Sequence, residues 1–549
     1  MKDQVDYSLY LVTDSTEAIL GSRDLVQVVE QALIGGVTIV QYRDKTSDTG
    51  VLISTAKALH EKCKAHNIPL LINDRVDVAL AVGCEGVHLG QDDMNVSEAR
   101  NLLGNDKIIG ATVSSIEEAR IAVERGADYL GIGTLYATNT KKNTKDIIGI
   151  NGIRKILKSL NDGNEAEKKV KTVCIGGVNA SNLQRITHQL HAPSSPSTQP
   201  KPIDGVAVVS AIIGAPDPKT ASSHLSKLLH SPPPFKAHST EPHFWLESNA
   251  QEITHVLSFA SLATKSVREK SPLSHNMTNL VVQNFAANVA LCIGASPIMA
   301  NYAAEAPDLA RLGGALVVNM GTVTPDGLAN FKQAINAYNL AGGPIILDPV
   351  GAGATSVRRS AVAELLNNGY FDLIKGNERE ILAVASASGF SVSGPTSQQR
   401  GVDSGTAVYT LPQKASIVST LALRERCIVL MTGATDVISD GNRTYTISNG
   451  HAYLGMITGS GCTLGTTLSA YLAANQGDKL LAAIAGVLHY EIAAEEASRR
   501  EDVKGPGTFV PAFLDELYRL GVKVAGDGEW EGARVECVKD VGEGVLVLD

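Results

Sequence analysis

Cationic and acidic side chains in the first hundred residues are spaced in a way that suits phosphate binding. Gln41, Arg43 and Lys45 alternate along one short segment, so in an extended chain their side chains share a face. A guanidinium can donate two parallel hydrogen bonds to phosphate oxygens, and an ammonium adds a compact positive charge. Asp74 and Asp93 follow two later apolar runs, and two carboxylates facing a pyrophosphate commonly hold Mg2+. These residues predict a site for a phosphorylated ligand and its metal.

A glycine-rich segment in the second half, Thr458–Gly465, carries a cysteine and opens a helix of small residues. Glycines at a helix start let backbone N–H groups approach an anion, where the helix dipole is favourable. A cysteine in that first turn is expected to have a depressed pKa. Cys462 is therefore a candidate base near pH 7. A small buried thiol at a tight helix start fits the same pattern, and this segment alone does not separate the two interpretations.

The elements that must position the first group are short apolar runs separated by stretches with helical spacing. Alternating strands and helices predict a parallel sheet with right-handed crossovers, and eight such units close into a barrel whose post-strand loops carry the chemistry. The runs are Tyr7–Thr13, Val37–Tyr42, Leu70–Asn73, Gly86–Leu89, Lys107–Thr112, Tyr129–Thr134, Lys171–Ile175 and Val206–Ser210. Gly176 and Gly177 follow the seventh run and Ser210 ends the eighth, which matches the phosphate pocket of barrel enzymes. Candidate residues at so many successive strand ends argue against a set of unrelated salt bridges and helix caps.

Length and composition divide the chain into two domains. A chain of 549 residues exceeds what one core supports. We predict a first domain over 1–230, a proline-rich linker over 231–242 and a second domain over 243–549. The Pro/Ser/Thr-rich segment 191–202 precedes the last barrel strand, so it is interpreted as an insertion.

The second half again alternates strands and helices, but with too few closely spaced units for another barrel. We therefore predict an open, layered α/β sheet. Its apolar strands are expected at Ala315–Asn319, Ile345–Leu347, Leu373–Lys375 and Cys427–Thr432.

The bulk composition excludes several classes of partner. A net charge of −9 argues against nucleic-acid binding. No apolar stretch reaches the roughly 20 residues that span a bilayer, and the polar, acidic start makes a cleavable signal unexpected. Seven scattered cysteines with no Cys-x-x-Cys pair suggest reduced thiols and a cytoplasmic location.

At its motifs the first half resembles thiamine-phosphate synthase, over roughly Tyr7 to Leu229. The motifs that carry this resemblance are 41–45 (Gln-Tyr-Arg-Asp-Lys), 73–75 (Asn-Asp-Arg), 88–93 (His-Leu-Gly-Gln-Asp-Asp), 131–133 (Gly-Ile-Gly) and 138–142 (Thr-Asn-Thr-Lys-Lys). The resemblance implies a (β/α)8 TIM barrel that condenses hydroxymethylpyrimidine pyrophosphate with thiazole phosphate. In this reaction pyrophosphate leaves, a pyrimidine-methyl cation forms, and the thiazole nitrogen captures it.

The resemblance also implies a role for each matching residue. Gln41, Arg43, Lys45 and Asn73 would bind the pyrimidine pyrophosphate, and Asp74 and Asp93 would hold its Mg2+. Arg43, Lys45, Lys141 and Mg2+ would stabilise charge on the leaving group. Thr112 stands where the family commonly has Ser, and its hydroxyl keeps the pyrophosphate contact. The residues expected to bind the thiazole phosphate and the departing phosphates are Thr138, Thr140, Lys141, Gly177, Val209 and Ser210.

The second half resembles hydroxyethylthiazole kinase from about Phe244 to Leu520. The motifs that carry this resemblance are Ser271–Asn279, Asn284–Asn288, Gly294–Met299, Asp348–Gly351, Lys375–Glu380 and Thr432–Gly433. The resemblance implies a ribokinase-like fold that transfers the γ-phosphoryl group of ATP to the hydroxyethyl oxygen of the thiazole. Cys462 takes the place that Asp occupies in related sugar kinases.

The kinase resemblance likewise implies individual roles. Met299 and Gly459 would contact the thiazole alcohol, and Lys375, Thr432 and the Gly461 amide would contact ATP. Many bacterial relatives have Arg where this chain has Lys375, so a bidentate phosphate contact is not carried over. Candidates for organising Mg2+ or its water shell are Asp348, Asn377 and Glu380.

The two resemblances fit one metabolic sequence, because the kinase product, thiazole phosphate, is the second substrate of the synthase. The leading prediction is thus a bifunctional thiamine-biosynthesis enzyme. One alternative is a thiamine-phosphate-binding regulator with dead sites, and another is a sugar-phosphate barrel fused to a sugar kinase. The kinase family commonly forms trimers with sites between subunits, so a homo-oligomer, either a trimer or a hexamer, is expected.

Overall fold

The computed structural model describes residues 2–137, 147–191, 200–236, 245–392, 409–526, 528–541 and 544–548. The chain divides into two compact units, of which the first reaches Pro232 and the second begins at Pro233. Most of the predicted insertion and linker lies outside the described residues, so their bounds stay predictions.

The first unit is a closed barrel of eight parallel strands, which confirms the predicted TIM barrel. Each strand pairs with its neighbour in chain order, and β1 closes on β8. The strands are β1 (Leu9–Val12), β2 (Ile39–Tyr42), β3 (Leu70–Asn73), β4 (Gly86–Leu89), β5 (Ile108–Val113), β6 (Tyr129–Ile132), β7 (Lys171–Ile175) and β8 (Gly205–Val208). Their carboxyl ends meet at one rim, where the candidate residues follow them.

Helices pack their apolar faces against the outside of this barrel. Several begin at side-chain caps: Asn95 accepts a hydrogen bond from the Glu98 backbone N–H, and Ser115 accepts one from that of Glu118. The helices are α1 (Glu17–Leu20), α2 (Leu25–Ile34), α3 (Thr49–Ala65), α4 (Val76–Val82), α5 (Val96–Leu103), α6 (Ile116–Glu124), α7 (Gly149–Asp162), α8 (Glu165–Lys169), α9 (Leu183–Leu190), α10 (Ser210–Ile213) and α11 (Pro218–His230). A separate buried cluster, with Tyr7, Tyr10 and Tyr129 among its members, fills the barrel interior.

The second unit is an open, layered α/β domain, which confirms the predicted fold class. Its nine-stranded sheet has the order β10-β9-β11-β12-β13-β15-β16-β17-β18, parallel from β10 to β15 and antiparallel from there to β18. A separate antiparallel pair joins β14 to β19. The strands are β9 (Leu273–Met277), β10 (Ser296–Ile298), β11 (Ala315–Asn319), β12 (Ile345–Asp348), β13 (Leu373–Asn377), β14 (Phe390–Val392), β15 (Ile428–Thr432), β16 (Asp436–Ser439), β17 (Thr444–Ile447), β18 (Val535–Cys537) and β19 (Leu546–Leu548).

Helices cover both faces of this sheet, so its central strands are buried throughout. Val317 belongs to the core on one face, while its neighbours Leu316 and Val318 belong to the core on the other. The helices are α12 (Asn249–Lys270), α13 (Gln283–Ile293), α14 (Ala306–Arg311), α15 (Pro325–Ala341), α16 (Ser356–Asn368), α17 (Glu378–Ala387), α18 (Leu411–Glu425), α19 (Ser460–Ala474), α20 (Lys479–Arg499) and α21 (Pro506–Ala525). Within the described residues, no helix combines the length and apolar character needed to cross a bilayer.

Candidate active sites

Two carboxylates and a lysine meet at the carboxyl ends of β2, β3 and β4. Lys45 Nζ lies 3.0 Å from Asp74 Oδ2. The Asp74 backbone is in the left-handed region, with φ of 63°, and its N–H donates to the His88 carbonyl at 2.8 Å. Asp93 accepts a hydrogen bond from the Gly90 N–H at 2.8 Å. Burial raises the pKa of Asp93, and the adjacent Asp74 carboxyl raises it further. The two predicted metal ligands are therefore neighbours beside a cation.

This pair fits the chemistry of a magnesium ion bound with a pyrophosphate. Like charges held together favour a bound cation, and Mg2+ takes oxygen ligands from one or two carboxylates, from phosphates and from water. No cluster of three or more His, Cys, Asp or Glu side chains suited to a metal occurs in the described part of the chain. Asp74 and Asp93 would hold such an ion, with phosphate oxygens and water completing its shell.

The other residues predicted around β2 lie at different depths in the barrel mouth. Gln41 is buried. Arg43 lies beyond the strand end, where its backbone N–H donates to Thr13 Oγ1 at 2.9 Å and its Nη1 lies 3.8 Å from Asp14 Oδ2. Asn73, the last residue of β3, pairs in register with His88 of β4. Arg43 thus borders the β1 side of the mouth, whereas Lys45 reaches towards β3.

The predicted phosphate pocket lies at the ends of β7 and β8. Gly176 and Gly177 both have positive φ, 115° and 72°, and a Cβ on Gly176 would lie 2.7 Å from the Leu135 backbone nitrogen. Val209 and Ser210 form the turn into α10. Only glycine fits at Gly176 without displacing backbone. The other residues predicted to bind here lie outside the described residues: Thr138, Thr140 and Lys141.

A continuous series of hydrogen bonds runs through the barrel interior from Gln41 to Thr112. Gln41 Nε2 lies 2.8 Å from the Tyr10 hydroxyl, which lies 2.6 Å from the Tyr129 hydroxyl. Tyr129 in turn contacts His88 Nδ1 at 2.7 Å, and His88 Nε2 contacts Thr112 Oγ1 at 2.8 Å. The site prediction contained only the two ends of this series. The three residues between them, Tyr10, Tyr129 and His88, could have been found as polar side chains within otherwise apolar strands.

In the second unit, a buried polar cluster lies at the carboxyl ends of β11, β12 and β13. Lys375 Nζ lies 3.0 Å from Asp348 Oδ1 and donates to the Gly461 carbonyl at 2.8 Å. Asn319 Nδ2 donates to Asp348 Oδ2 at 2.7 Å. Burial raises the pKa of Asp348. Burial also opposes the charge of Lys375, but nearby Asp348 outweighs it and raises the pKa of Lys375. The cluster thus joins Asp348, a predicted metal ligand, to Lys375 and Gly461, which are both predicted to contact ATP.

Cys462 lies beside this cluster in the first turn of α19. Asn279 Nδ2 lies 3.6 Å from its Sγ. Burial and the charge of Asp348 raise the pKa of Cys462 to about 11, so the prediction of a depressed pKa is wrong. The helix N-terminus favours a thiolate, but loss of solvation and a neighbouring carboxylate outweigh it here. Gly459 precedes the helix with φ of 89°, and a Cβ there would lie 2.4 Å from Val282.

The remaining predicted kinase residues lie around this centre. Asn377 and Glu380 form a capping box at the start of α17, and Glu380 also accepts a hydrogen bond from the Gly351 N–H at 2.8 Å. Burial and the charge of Asp348 raise the pKa of Glu380 to about 7. Thr432 lies opposite Asn377 in the β13–β15 register. Both capping side chains thus accept hydrogen bonds from backbone N–H groups.

Met299 follows β10, at the edge of the parallel part of the sheet. The next residue, Ala300, accepts a hydrogen bond on its carbonyl from His275 Nε2 at 2.9 Å. This bond ties the segment that carries Met299 to β9, the strand that leads to Asn279. The sequence predicts no role for Asn279 or Asn319, although Asn279 belongs to the motif Ser271–Asn279.

Comparison with known proteins matches each half to a family. Residues 9–212 match the family described as thiamine monophosphate synthase, and residues 264–523 match the hydroxyethylthiazole kinase family. A probable thiamine biosynthetic bifunctional enzyme of Schizosaccharomyces pombe is 42% identical over 544 residues, 98% of this chain and 99% of that protein. A thiamine biosynthetic bifunctional enzyme of Saccharomyces cerevisiae is 36% identical, over 94% of this chain and 96% of that protein. A hydroxyethylthiazole kinase of Listeria monocytogenes is 41% identical over 48% of this chain and 94% of its own length.

Proposed function

The chain belongs to the family of bifunctional thiamine biosynthetic enzymes, and we propose from this premise which reaction each of its two sites catalyses. A thiamine-phosphate synthase domain is followed by a hydroxyethylthiazole kinase domain. The second unit phosphorylates hydroxyethylthiazole with ATP. The barrel then joins thiazole phosphate to hydroxymethylpyrimidine pyrophosphate, giving thiamine phosphate and pyrophosphate. The observation that carries the proposal is that each unit places an acidic and cationic cluster at the carboxyl ends of its parallel strands.

In the barrel, catalysis consists of drawing pyrophosphate away from the pyrimidine methylene carbon. Arg43 and Lys45, with Lys141, offset the negative charge that builds on the leaving group, and such charge stabilisation is commonly the largest catalytic contribution. Asp74 and Asp93 would hold Mg2+, which when bound would supply further positive charge to the leaving group. The pyrimidine pyrophosphate is bound by Gln41, Asn73 and Thr112. The thiazole phosphate is bound by Gly176, Gly177, Val209 and Ser210, with Thr138 and Thr140.

In the kinase, catalysis consists of aligning an alcohol with the terminal phosphate of ATP. Met299 and Gly459 hold the thiazole alcohol, and Thr432, Lys375 and the Gly461 amide bind ATP. Cys462 orients the alcohol as a neutral thiol, since its pKa lies well above physiological pH. Mg2+ supplies charge at the phosphates when bound, and the residues that would organise it or its water shell are Asp348, Asn377 and Glu380.

The second unit is further proposed to assemble into a trimer, or a hexamer built from two trimers. Large apolar side chains in the segments around Asn279, Met299 and Gly459 are exposed: Leu280 at 73%, Tyr302 at 68% and Met456 at 62%. Exposed apolar groups of this kind mark contact surfaces. Sedimentation or light scattering of the purified chain measures the mass, and a monomer would reject the assembly.

All seven cysteines are free, which favours a reducing, cytoplasmic location.

The function is tested by incubating the purified protein with hydroxyethylthiazole, ATP, Mg2+ and hydroxymethylpyrimidine pyrophosphate. Thiamine phosphate forms only when all four are present, and supplying thiazole phosphate removes the need for ATP. Binding of thiamine phosphate without any turnover would instead favour a regulator. Phosphorylation of sugars in place of the thiazole alcohol would favour the sugar-kinase alternative.

A further inference from the structure

We propose that Tyr10, Tyr129 and His88 form a directional hydrogen-bond relay. The relay fixes whether Gln41 and Thr112 each offer the ligand a hydrogen-bond donor or an acceptor. By this relay the barrel selects a pyrimidine that carries an amino group over one that carries a carbonyl group. The inference rests on the proposed synthase function and deepens it, because it names positioning residues and the group on the substrate that they select.

The relay lies where its polar groups must find partners inside the protein. Tyr129 and Tyr10 are 0% and 1% exposed, and Gln41 is 4% exposed. Around them the barrel interior is apolar, with Ile39, Leu71 and Val173 in the same cluster. A buried hydroxyl or amide without a partner costs roughly 1–3 kcal/mol. Gln41, Tyr10 and Tyr129 are therefore held to a bonding pattern that satisfies all three, whereas His88 and Thr112 are half-buried.

That requirement gives the series one direction. Gln41 Nε2 can only donate, so the Tyr10 hydroxyl accepts this hydrogen bond and donates its own to the Tyr129 hydroxyl. Tyr129 then donates to His88 Nδ1. A neutral imidazole that accepts at Nδ1 carries its proton on Nε2, which donates to Thr112 Oγ1. The hydroxyl hydrogen of Thr112 is not used within the series.

One end of the series then offers a ligand a hydrogen-bond acceptor, and the other end offers a donor. At one end, the relay uses the nitrogen of the Gln41 amide, which leaves the amide oxygen as an acceptor. At the other end, the Thr112 hydroxyl is left as a donor. A pyrimidine amino group is a donor and a phosphate oxygen is an acceptor, so an aminopyrimidine pyrophosphate matches both ends at once.

The relay is needed because an amide has nearly the same shape after a half-turn about its last bond. Shape alone cannot hold the Gln41 oxygen towards the substrate. The Tyr10 hydroxyl can hold it only if its own hydrogen is committed elsewhere, and Tyr129 and His88 provide that commitment. The competing interpretation is that the two tyrosines merely fill the barrel, since their rings also pack with centroids 5.8 Å apart.

The test measures substrate discrimination rather than rate alone. With thiazole phosphate supplied directly, kcat/KM is determined for the natural aminopyrimidine pyrophosphate and for its 4-oxo analogue. A site that hydrogen-bonds a specific group rejects the analogue strongly, by about 10^4 in favourable cases. We expect Tyr129→Phe and Tyr10→Phe each to lower this preference by at least about tenfold, because one hydroxyl fewer lets the amide turn.

A matched pair at His88 tests the direction of the relay. The amide of His88→Gln can accept from Tyr129 and donate to Thr112, whereas His88→Leu can do neither. The preference is expected to be larger in His88→Gln than in His88→Leu. Kinase turnover in the same preparations, together with thermal unfolding of the barrel, identifies any variant that fails to fold.

The outcomes separate this inference from the proposed function. A wild-type protein that makes no thiamine phosphate would reject the function. A wild-type protein that turns over without preferring the amino compound would reject the relay alone. Tyrosine variants that lose rate equally for both pyrimidines, with an unchanged preference, would likewise show a purely structural role and overturn the inference.

Discussion

The ammonium group of Lys375 lies 3.0 Å from the carboxylate of Asp348, and these side chains are only 3% and 1% exposed. Such a pair contributes little net stability, because desolvation of both ions offsets their attraction. Removing one partner is different, since it leaves the other charge buried without compensation. The pair therefore ties the fold of the second unit to the centre of its proposed kinase site.

We predict that Lys375→Met abolishes phosphorylation of hydroxyethylthiazole and lowers the free energy of unfolding of the second unit by about 3–5 kcal/mol. The double variant Lys375→Met/Asp348→Asn should regain most of that stability, because neither charge of the pair is left buried alone, while staying inactive. Denaturant unfolding and a kinase assay on the three proteins measure both effects. A Lys375→Met variant as stable as the wild type would contradict the buried pairing.

Neutralising either carboxylate at the barrel mouth should weaken the response of the synthase to Mg2+. For Asp74→Asn and Asp93→Asn we expect the Mg2+ concentration at half-maximal synthase rate to rise by about tenfold or more, as for changes around other metal sites. Kinase turnover of the same preparations is an internal control and should not change. An unaltered Mg2+ dependence in both variants would remove this pair from the metal site.

Cys462→Ala should reduce kinase turnover while leaving ATP binding largely intact, because the thiol is proposed to orient the alcohol and not to bind ATP. Since burial raises its pKa to about 11, we expect a smaller loss than the 10²–10⁴-fold typical for removal of a general base. Cys462→Ser, which keeps a small polar group, should retain more turnover than Cys462→Ala. Turnover equal to the wild type in Cys462→Ala would exclude this residue from the chemistry.

His489 should make the stability of the second unit depend on pH. Its Nε2 donates to the Leu517 carbonyl, Nδ1 contacts the Tyr471 hydroxyl, and burial lowers its pKa from 6.5 to about 4. Between those values the unfolded chain binds a proton that the folded chain refuses, so stability is full above pH 6.5 and falls as the pH drops. The loss attributable to this group reaches about 3 kcal/mol by pH 4.

The matched variants for this prediction are His489→Gln and His255→Gln. Denaturant unfolding at pH 7.5 and pH 4.5 should show a smaller difference in His489→Gln than in the wild type. His255 is exposed on α12, so its replacement should leave the difference unchanged. An equal pH effect in all three proteins would show that His489 is not its source.

The barrel could be predicted from sequence because its strands are short apolar runs at regular intervals. In the second unit, β9 was missed because its residues include Ser274, His275 and Asn276, all completely buried. Asn276 donates to Ser274 within the strand, but these side chains also need distant partners, such as Ser469 and Thr466 of α19. Apolar periodicity therefore fails in a strand whose burial depends on hydrogen bonds formed after folding.

Of the candidate sites, the sequence predicted which residues lie together at strand ends, but it did not predict effects that depend on distant parts of the chain. Asp74 and Asp93 were predicted to be neighbours because residues after successive barrel strands converge at the rim. The pKa of Cys462 was predicted in the wrong direction, since the helix start is local but the opposing charge of Asp348 comes from a strand more than a hundred residues earlier. The hydrogen-bond series from Gln41 to Thr112 was missed for a similar reason, because it exists only once the barrel has closed.

Each unit has hydrophobic cores of its own, and this has a genetic consequence. A lesion at Asp93 and a lesion at Lys375 damage different halves of the polypeptide. A diploid cell with one gene copy carrying each lesion would make thiamine, because every molecule keeps one working half and the phosphorylated thiazole can diffuse between molecules. The two mutations would thus complement each other in a cross, as if they lay in separate genes.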